Sequence, residues 1–232
     1  ILIFGGLCFT VDNLHYVVLC QASARENTMG YAPVDAEASG EKVIVGFVGK
    51  SDQGNIAAHN SKIPLTAGQR FKVISFFTKD NEYADLAARR ESGLKKFGLE
   101  YDLIGIPSSG AWELNCAFKA RFVGDQWEKS DIPVVWTDAD STIERDPVLF
   151  SKLDCDLALH KWDDWQFCSG TAYFGKSHHA KALLDQWVLR CDADPVTWDQ
   201  TSLQLAWMDV SSVIPLRTVW LPRPYTAIFD KD

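Results

Sequence analysis

From residue 71 the chain changes rhythm. "FKVISFFT" (71–78) is an apolar run of strand length. "NEYADLAARRESGLKKFG" (81–98) repeats its apolar residues at helical spacing and stops at Gly98, a residue suited to a helix C-cap. "YDLIGIP" (101–107) is strand-like again, "AWELNCAFKARFVGDQW" (111–127) is helical, and "IPVVWTD" (132–138) is strand-like. Strand, helix, strand, helix, strand predicts parallel strands, because a parallel pair needs a long crossover and a helix supplies it. Later segments add strands at "DLALH" (156–160) and "GTAYFG" (170–175), and helices at "SHHAKALLDQWVLRC" (177–191) and "DQTSLQLAWMD" (199–209). Residues 71–232 therefore read as an α/β domain, a mostly parallel sheet flanked by helices. Residues 1–70 read as a β-rich N-terminal segment of unassigned role, with short strands in "ILIFGG", "LHYVVLC" and "EKVIVGFVGK". That segment is expected to hold no catalytic groups.

The net charge of −8 and a pI near 5.1 argue against nucleic acid or an anionic membrane as partner. The first twenty residues are apolar but lack a basic start and are interrupted by Asp12 and His15. They are expected to be neither a signal peptide nor a membrane span. Six cysteines without metal-like spacing read as reduced thiols in a cytoplasmic protein.

The third strand of the α/β unit ends in two carboxylates, Asp138 and Asp140. The spacing alone says little. With 22 Asp in 232 residues, chance supplies about two D-x-D triplets, and the chain has four. Placement separates them. Asp154/Asp156 precede a strand, Asp192/Asp194 lie between two helices, and Asp230/Asp232 follow the last element. Only Asp138/Asp140 follow a strand's carboxyl end, where open α/β sheets bind ligands. On an extended segment, residues i and i+2 point the same way. Two carboxylates ~6 Å apart would repel by ~3 kcal/mol at an effective dielectric near 20. A divalent cation removes that cost. The other reading is a solvated loop in which Asp140 caps the next turn.

Three segments in order, "VVWTDAD", "CSGTAYF" and "WDQTSLQLAW", resemble a metal-dependent glycosyltransferase of the GT-A nucleotide-sugar fold, over about residues 71–232. The resemblance implies a sheet of that type and transfer of a sugar from a nucleotide-diphosphate donor to a glycan or other hydroxyl acceptor. It implies Mn²⁺ or Mg²⁺ on Asp138 and Asp140. Ser169, Gly170 and Thr171 match the segment that borders the donor sugar. Asp199 and Gln200 match the acidic pair near the reacting sugar; if the transfer inverts, Asp199 or Asp164 would be the catalytic base, and if it retains, no base is needed in that place. The loop from Thr78 to Tyr83 lies where the family holds the nucleotide base. The family often adds a late histidine to the metal; here no histidine follows His179.

Other readings stand beside these. Trp112, Asn115 and Lys119 share a helix face that would meet donor phosphates, with Lys119 or Arg121 neutralising them; otherwise Trp112 is core and the cations are solvated. Thr197 and Gln200 have capping-box spacing, which explains "TWDQ" without chemistry. "HKWDDWQFC" (160–168) combines Trp162 and Trp165 with Asp163 and Asp164, as an acceptor loop or an ordinary surface loop. Gly170 is also suited to a tight turn. Ser177 is a good N-cap for the helix that opens with His178 and His179, which cannot face one metal. "GFVGKS" (46–51) lacks the spacing of a phosphate-binding loop. "VVWTDADSTI" also looks like the first motif of haloacid-dehalogenase-like phosphohydrolases, with Asp138 as nucleophile, although two βα units precede it. A non-catalytic nucleotide-sugar-binding domain is the remaining alternative.

Overall fold

The structure, a computed structural model, describes the backbone of residues 3–4, 7–8, 32–36, 41–50, 56–59, 68–79, 83–163 and 165–226. Side chains are described from 68 to 79, 86 to 163 and 165 to 226. The N-terminal strands are β1 (Ile3–Phe4), β2 (Leu7–Cys8), β3 (Ala32–Ala36), β4 (Glu41–Lys50) and β5 (Ile56–His59). The α/β region follows as β6 (Lys72–Thr78), α1 (Tyr83–Lys96), β7 (Glu100–Ile106), α2 (Trp112–Lys129) and β8 (Val134–Thr137). It continues with β9 (Leu157–Trp162), β10 (Gln166–Phe174), α3 (His178–Ala193), α4 (Asp199–Ser211) and β11 (Leu216–Trp220).

The main sheet runs β3-β4-β11-β9-β10-β8-β6-β7, with β5 on β4. β7, β6 and β8 are parallel, and so are β9 and β11. β10 is antiparallel to both β8 and β9, so five strands of the α/β region share a direction and β10 opposes them. The α/β, mostly parallel expectation holds for this region. β4 pairs antiparallel with β11, which places the N-terminal strands β3, β4 and β5 in the same sheet. "GFVGKS" begins inside β4, in extended backbone rather than a phosphate loop. "LHYVVLC" lies outside the described residues.

Period-two alternation builds a core on each face of the sheet. Ile74, Phe76, Val134, Trp136, Leu157, Leu159, Ala172 and Phe174 join one core with Phe122 and Trp127 of α2, Leu183 and Trp187 of α3, and Leu203 of α4. The residues between them, Val73, Val135, Ala158 and Tyr173, join Leu94 of α1 and residues 149, 150 and 153 on the other face. Central strands are buried on both faces, which is why β8 reads as an unbroken apolar run. Helix ends follow local signals. Gly98 takes a left-handed φ of 63° after α1, and the Ser177 hydroxyl accepts from the Ala180 amide at 3.0 Å.

The amino end of the sheet is locked by Asp156, which is fully buried. Its Oδ1 accepts from Ser177 Oγ at 2.7 Å, and its Oδ2 accepts from the Arg217 amide at 2.7 Å. Gly175 leaves no room for a side chain there, since a Cβ would lie 2.0 Å from the Cys155 carbonyl oxygen. Asp192, by contrast, makes an exposed pair with Arg121. Asp156→Ala strands buried donors, so it should lower stability by about 3–5 kcal/mol. Asp192→Asn should cost less than about 1 kcal/mol. Chemical denaturation measures both.

Candidate functional site

β8 is buried along its length and delivers Asp138 to the carboxyl end of the sheet. There the backbone turns at once. The Asp138 carbonyl accepts from the Ser141 amide at 3.1 Å and from Ser141 Oγ at 2.7 Å. Residues 138–141 form a β-turn rather than an extended segment, so the same-side argument for Asp138 and Asp140 does not hold. Asp140 is exposed at the third position of the turn.

Asp138 faces inward. Its Oδ1 accepts from Trp136 Nε1 at 2.9 Å and lies 2.9 Å from Lys119 Nζ. Lys119 is buried on α2, and its ammonium also reaches Asp199 Oδ2 at 2.8 Å and Ser169 Oγ at 3.3 Å. Ser169 in turn donates to Asp199 Oδ2 at 2.7 Å. The cluster joins four elements: α2, the end of β8, β10 and the start of α4. Burial pulls the Lys119 ammonium down, but Asp138 and Asp199 outweigh it and hold the group above the usual lysine range.

Ser169, Gly170 and Thr171 lie in β10 at a bulge. Cys168 pairs with His160 and Ala172 with Leu159, so the three residues between have no partners on β9. The expected tight turn at Gly170 is instead this irregular strand. The Asp138 amide donates to the Gly170 carbonyl at 2.9 Å, and a Cβ at Gly170 would come within 3.1 Å of Asp138 Oδ2.

Asp199 is buried in the first turn of α4. Trp187 Nε1 donates to its carbonyl at 2.9 Å. The expected capping box does not form. Trp198 is the N-cap and makes no side-chain cap bond, while the Thr197 hydroxyl donates to Asp194 at 2.7 Å. Gln200 follows, half-buried. Thr78 is buried at the end of β6. Tyr83 opens α1, but its side chain lies outside the described residues, as does Asp164. Asp163 stands in the β9–β10 turn with a left-handed φ of 48°. Arg121 pairs with Asp192, away from the cluster. Trp112 is exposed rather than core.

Sequence reasoning missed Arg90. It is buried on α1, and its Nη1 donates to Ser75 Oγ at 3.0 Å and to the Asp138 carbonyl. Its Nε and Nη2 have no hydrogen-bond partner. Burial pulls the guanidinium down to about 10, against the attraction of Asp138 and Asp140. The D-x-D turn thus has two resident cations, Lys119 above and Arg90 beneath. "LAARRES" places an arginine among small apolar residues, which was the available signal. Cys116, one turn before Lys119, has its thiol pushed up to about 11, first by burial and then by Asp199, so it is no nucleophile.

No protein-family model matches the chain, and no curated protein matches it. It is similar to a solved structure described as a glycosyltransferase involved in the glycosylation of the major capsid of PBCV-1. The two are 11% identical; the likeness covers 64% of this chain and 92% of that chain, with a TM-score of 0.47. Among the described residues, no helix is long and apolar enough to cross a membrane.

Lys119→Met removes the cation between two inward-facing carboxylates. It should cost about 3–5 kcal/mol of stability at neutral pH, read by urea denaturation. Because the folded-state value is raised, the ammonium's contribution is present below about pH 10.4, the ordinary lysine value. It should disappear only as the pH climbs past that point.

Proposed function

We propose that the chain transfers a sugar from a nucleotide-diphosphate donor to a hydroxyl of an acceptor, with Mn²⁺ or Mg²⁺ as cofactor. One observation carries the reading. Asp138, Ser169 and Asp199, far apart in sequence, converge on one buried ammonium at the carboxyl end of β8. That is where open α/β sheets bind ligands.

The residues present suit a divalent cation. Asp138 Oδ1 is committed to Lys119 and Trp136, which leaves Oδ2, next to Gly170, and the exposed Asp140. Two carboxylates with waters and phosphate oxygens make an ordinary Mg²⁺ or Mn²⁺ shell. Bound there, the cation supplies positive charge to the leaving diphosphate. Among the described residues, no group of three or more His, Cys, Asp and Glu gathers to hold a metal, so donor oxygens would complete the shell.

The chain's own groups then have definable roles. Lys119 pins both carboxylates in place. Arg90 and Ser141 hold the Asp138 carbonyl, which fixes the turn carrying Asp140. Ser169 and Lys119 occupy Asp199 Oδ2, so in an inverting transfer Oδ1 would be the atom to orient an acceptor hydroxyl and take its proton. The loop between Thr78 and Tyr83 would border the nucleotide base, and Gln200 the donor sugar.

Thermal shift with uridine, guanosine and thymidine diphosphates, each with and without Mn²⁺, tests the reading. At least one nucleotide should stabilise the protein, and only with metal. Asp140→Asn should abolish that shift and Asp192→Asn should not. Equal effects of the two changes would sink the site assignment. Without acceptor, the matching nucleotide-sugar should be hydrolysed slowly to nucleotide diphosphate and free sugar, because water is poorly positioned. Phosphatase turnover that dies in Asp138→Asn would overturn the transfer reading in favour of a nucleophilic aspartate.

A further inference from the structure

The chain has nine tryptophans. Six are buried or half-buried. The three exposed ones are Trp112 (55%), Trp165 (42%) and Trp198 (55%), and the strand directions put all three at the edge of the sheet where its parallel strands end. Trp112 opens α2, Trp165 lies in the β9–β10 turn, and Trp198 caps α4. An indole is among the largest apolar groups a core can bury. Three half-bare ones gathered at one end are not explained by packing.

Trp112 and Trp198 meet edge to face, with ring centroids 6.4 Å apart and planes 82° to each other. They form a corner with two flat apolar walls. The corner adjoins the ion cluster through both of its members. Trp198 immediately precedes Asp199. Trp112, Cys116 and Lys119 follow one another at i, i+4 and i+7 along one face of α2. Beside Trp112 the approach is polar: Asn115 Oδ1 accepts from the Ser109 amide at 2.9 Å and from Ser109 Oγ at 2.8 Å.

We infer that Trp112 and Trp198 form the acceptor subsite and that the acceptor is a glycan, with one pyranose ring seated in the corner. A pyranose has a face of C–H groups and a rim of hydroxyls. An aromatic wall next to a carboxylate matches both at once. The donor's base has its expected place by the loop after β6, across β8 from β10. The assignment deepens the transfer reading and rests on it for the role of Asp199. Saccharide binding itself requires neither donor nor metal.

The test uses the full chain and soluble tetrasaccharides of glucose, galactose, mannose and N-acetylglucosamine, followed by tryptophan fluorescence and calorimetry. At least one should bind and shift the emission. Trp112→Ala and Trp198→Ala should each weaken binding about tenfold. Trp198→Phe, which keeps a flat ring, should retain most of it. Leu189→Ala, on an exposed part of α3, should change nothing. All variants should keep their melting temperatures and any Mn²⁺-dependent shift with nucleotide. The inference is overturned if no tetrasaccharide binds, or if the double alanine variant binds as well as the parent. It is also overturned if the tryptophan variants lose nucleotide instead, which would make the corner the donor's base site. Saccharide binding without any nucleotide binding would keep the subsite as a glycan site and overturn the transfer reading; nucleotide binding without saccharide would do the reverse.

Discussion

A single ammonium organises the carboxyl end of the sheet. Lys119 Nζ sits within 2.9 Å of one oxygen of Asp138 and one of Asp199. A buried charge is tolerated only when it is paired and hydrogen-bonded. The three charges therefore fix one another, and with them the relative placement of α2, β8, β10 and α4. Ser169 completes the set by donating to Asp199 and accepting from Lys119. Moving α2, β8 or α4 would separate a charge of this cluster from its partner.

The same sequence triplet serves opposite ends in opposite ways. Asp156, in the second D-x-D, is sealed at the amino end by Ser177 and Arg217 and leaves nothing for a ligand. Asp138 keeps one carboxylate oxygen at a partly exposed surface, and Asp140, two residues on in the turn, is exposed. What separates a structural carboxylate from a candidate ligand-binding one is which donors surround it, not the motif. Arg90 sharpens the contrast. Two of its nitrogens, Nε and Nη2, have no hydrogen-bond partner beneath the Asp138 turn, whereas the Asp156 carboxylate is bonded through both oxygens. Buried polar groups left incomplete are uncommon.

Much of this was legible along the chain. Short apolar runs alternating with helical periodicity announced the α/β region, because strand and helix bury their faces at different intervals. Gly98 and Ser177 marked helix ends through local backbone chemistry. Where longer-range contacts took over, local reading failed. Thr197 has capping-box spacing, yet its hydroxyl turns to Asp194 while Asp199 turns inward to Lys119. β11 went unnoticed because "LRTVW" is short and its partners, β9 and β4, are distant in sequence. At Asp138 the strand pattern does not show the turn: Ser141, three residues on, and Arg90, from α1, both claim its carbonyl.

Residue order and residue type were enough to establish the class of sheet, the helix boundaries that rest on caps, and the end of β8 as the place where carboxylates meet solvent. Those properties depend on neighbours within a few positions. The pairing of Lys119 with Asp138 and Asp199, the support from Arg90, and the corner of Trp112 and Trp198 needed the folded chain. Each joins residues from separate elements, and an ion pair or an aromatic contact depends on a few ångströms of distance that no spacing along the sequence encodes.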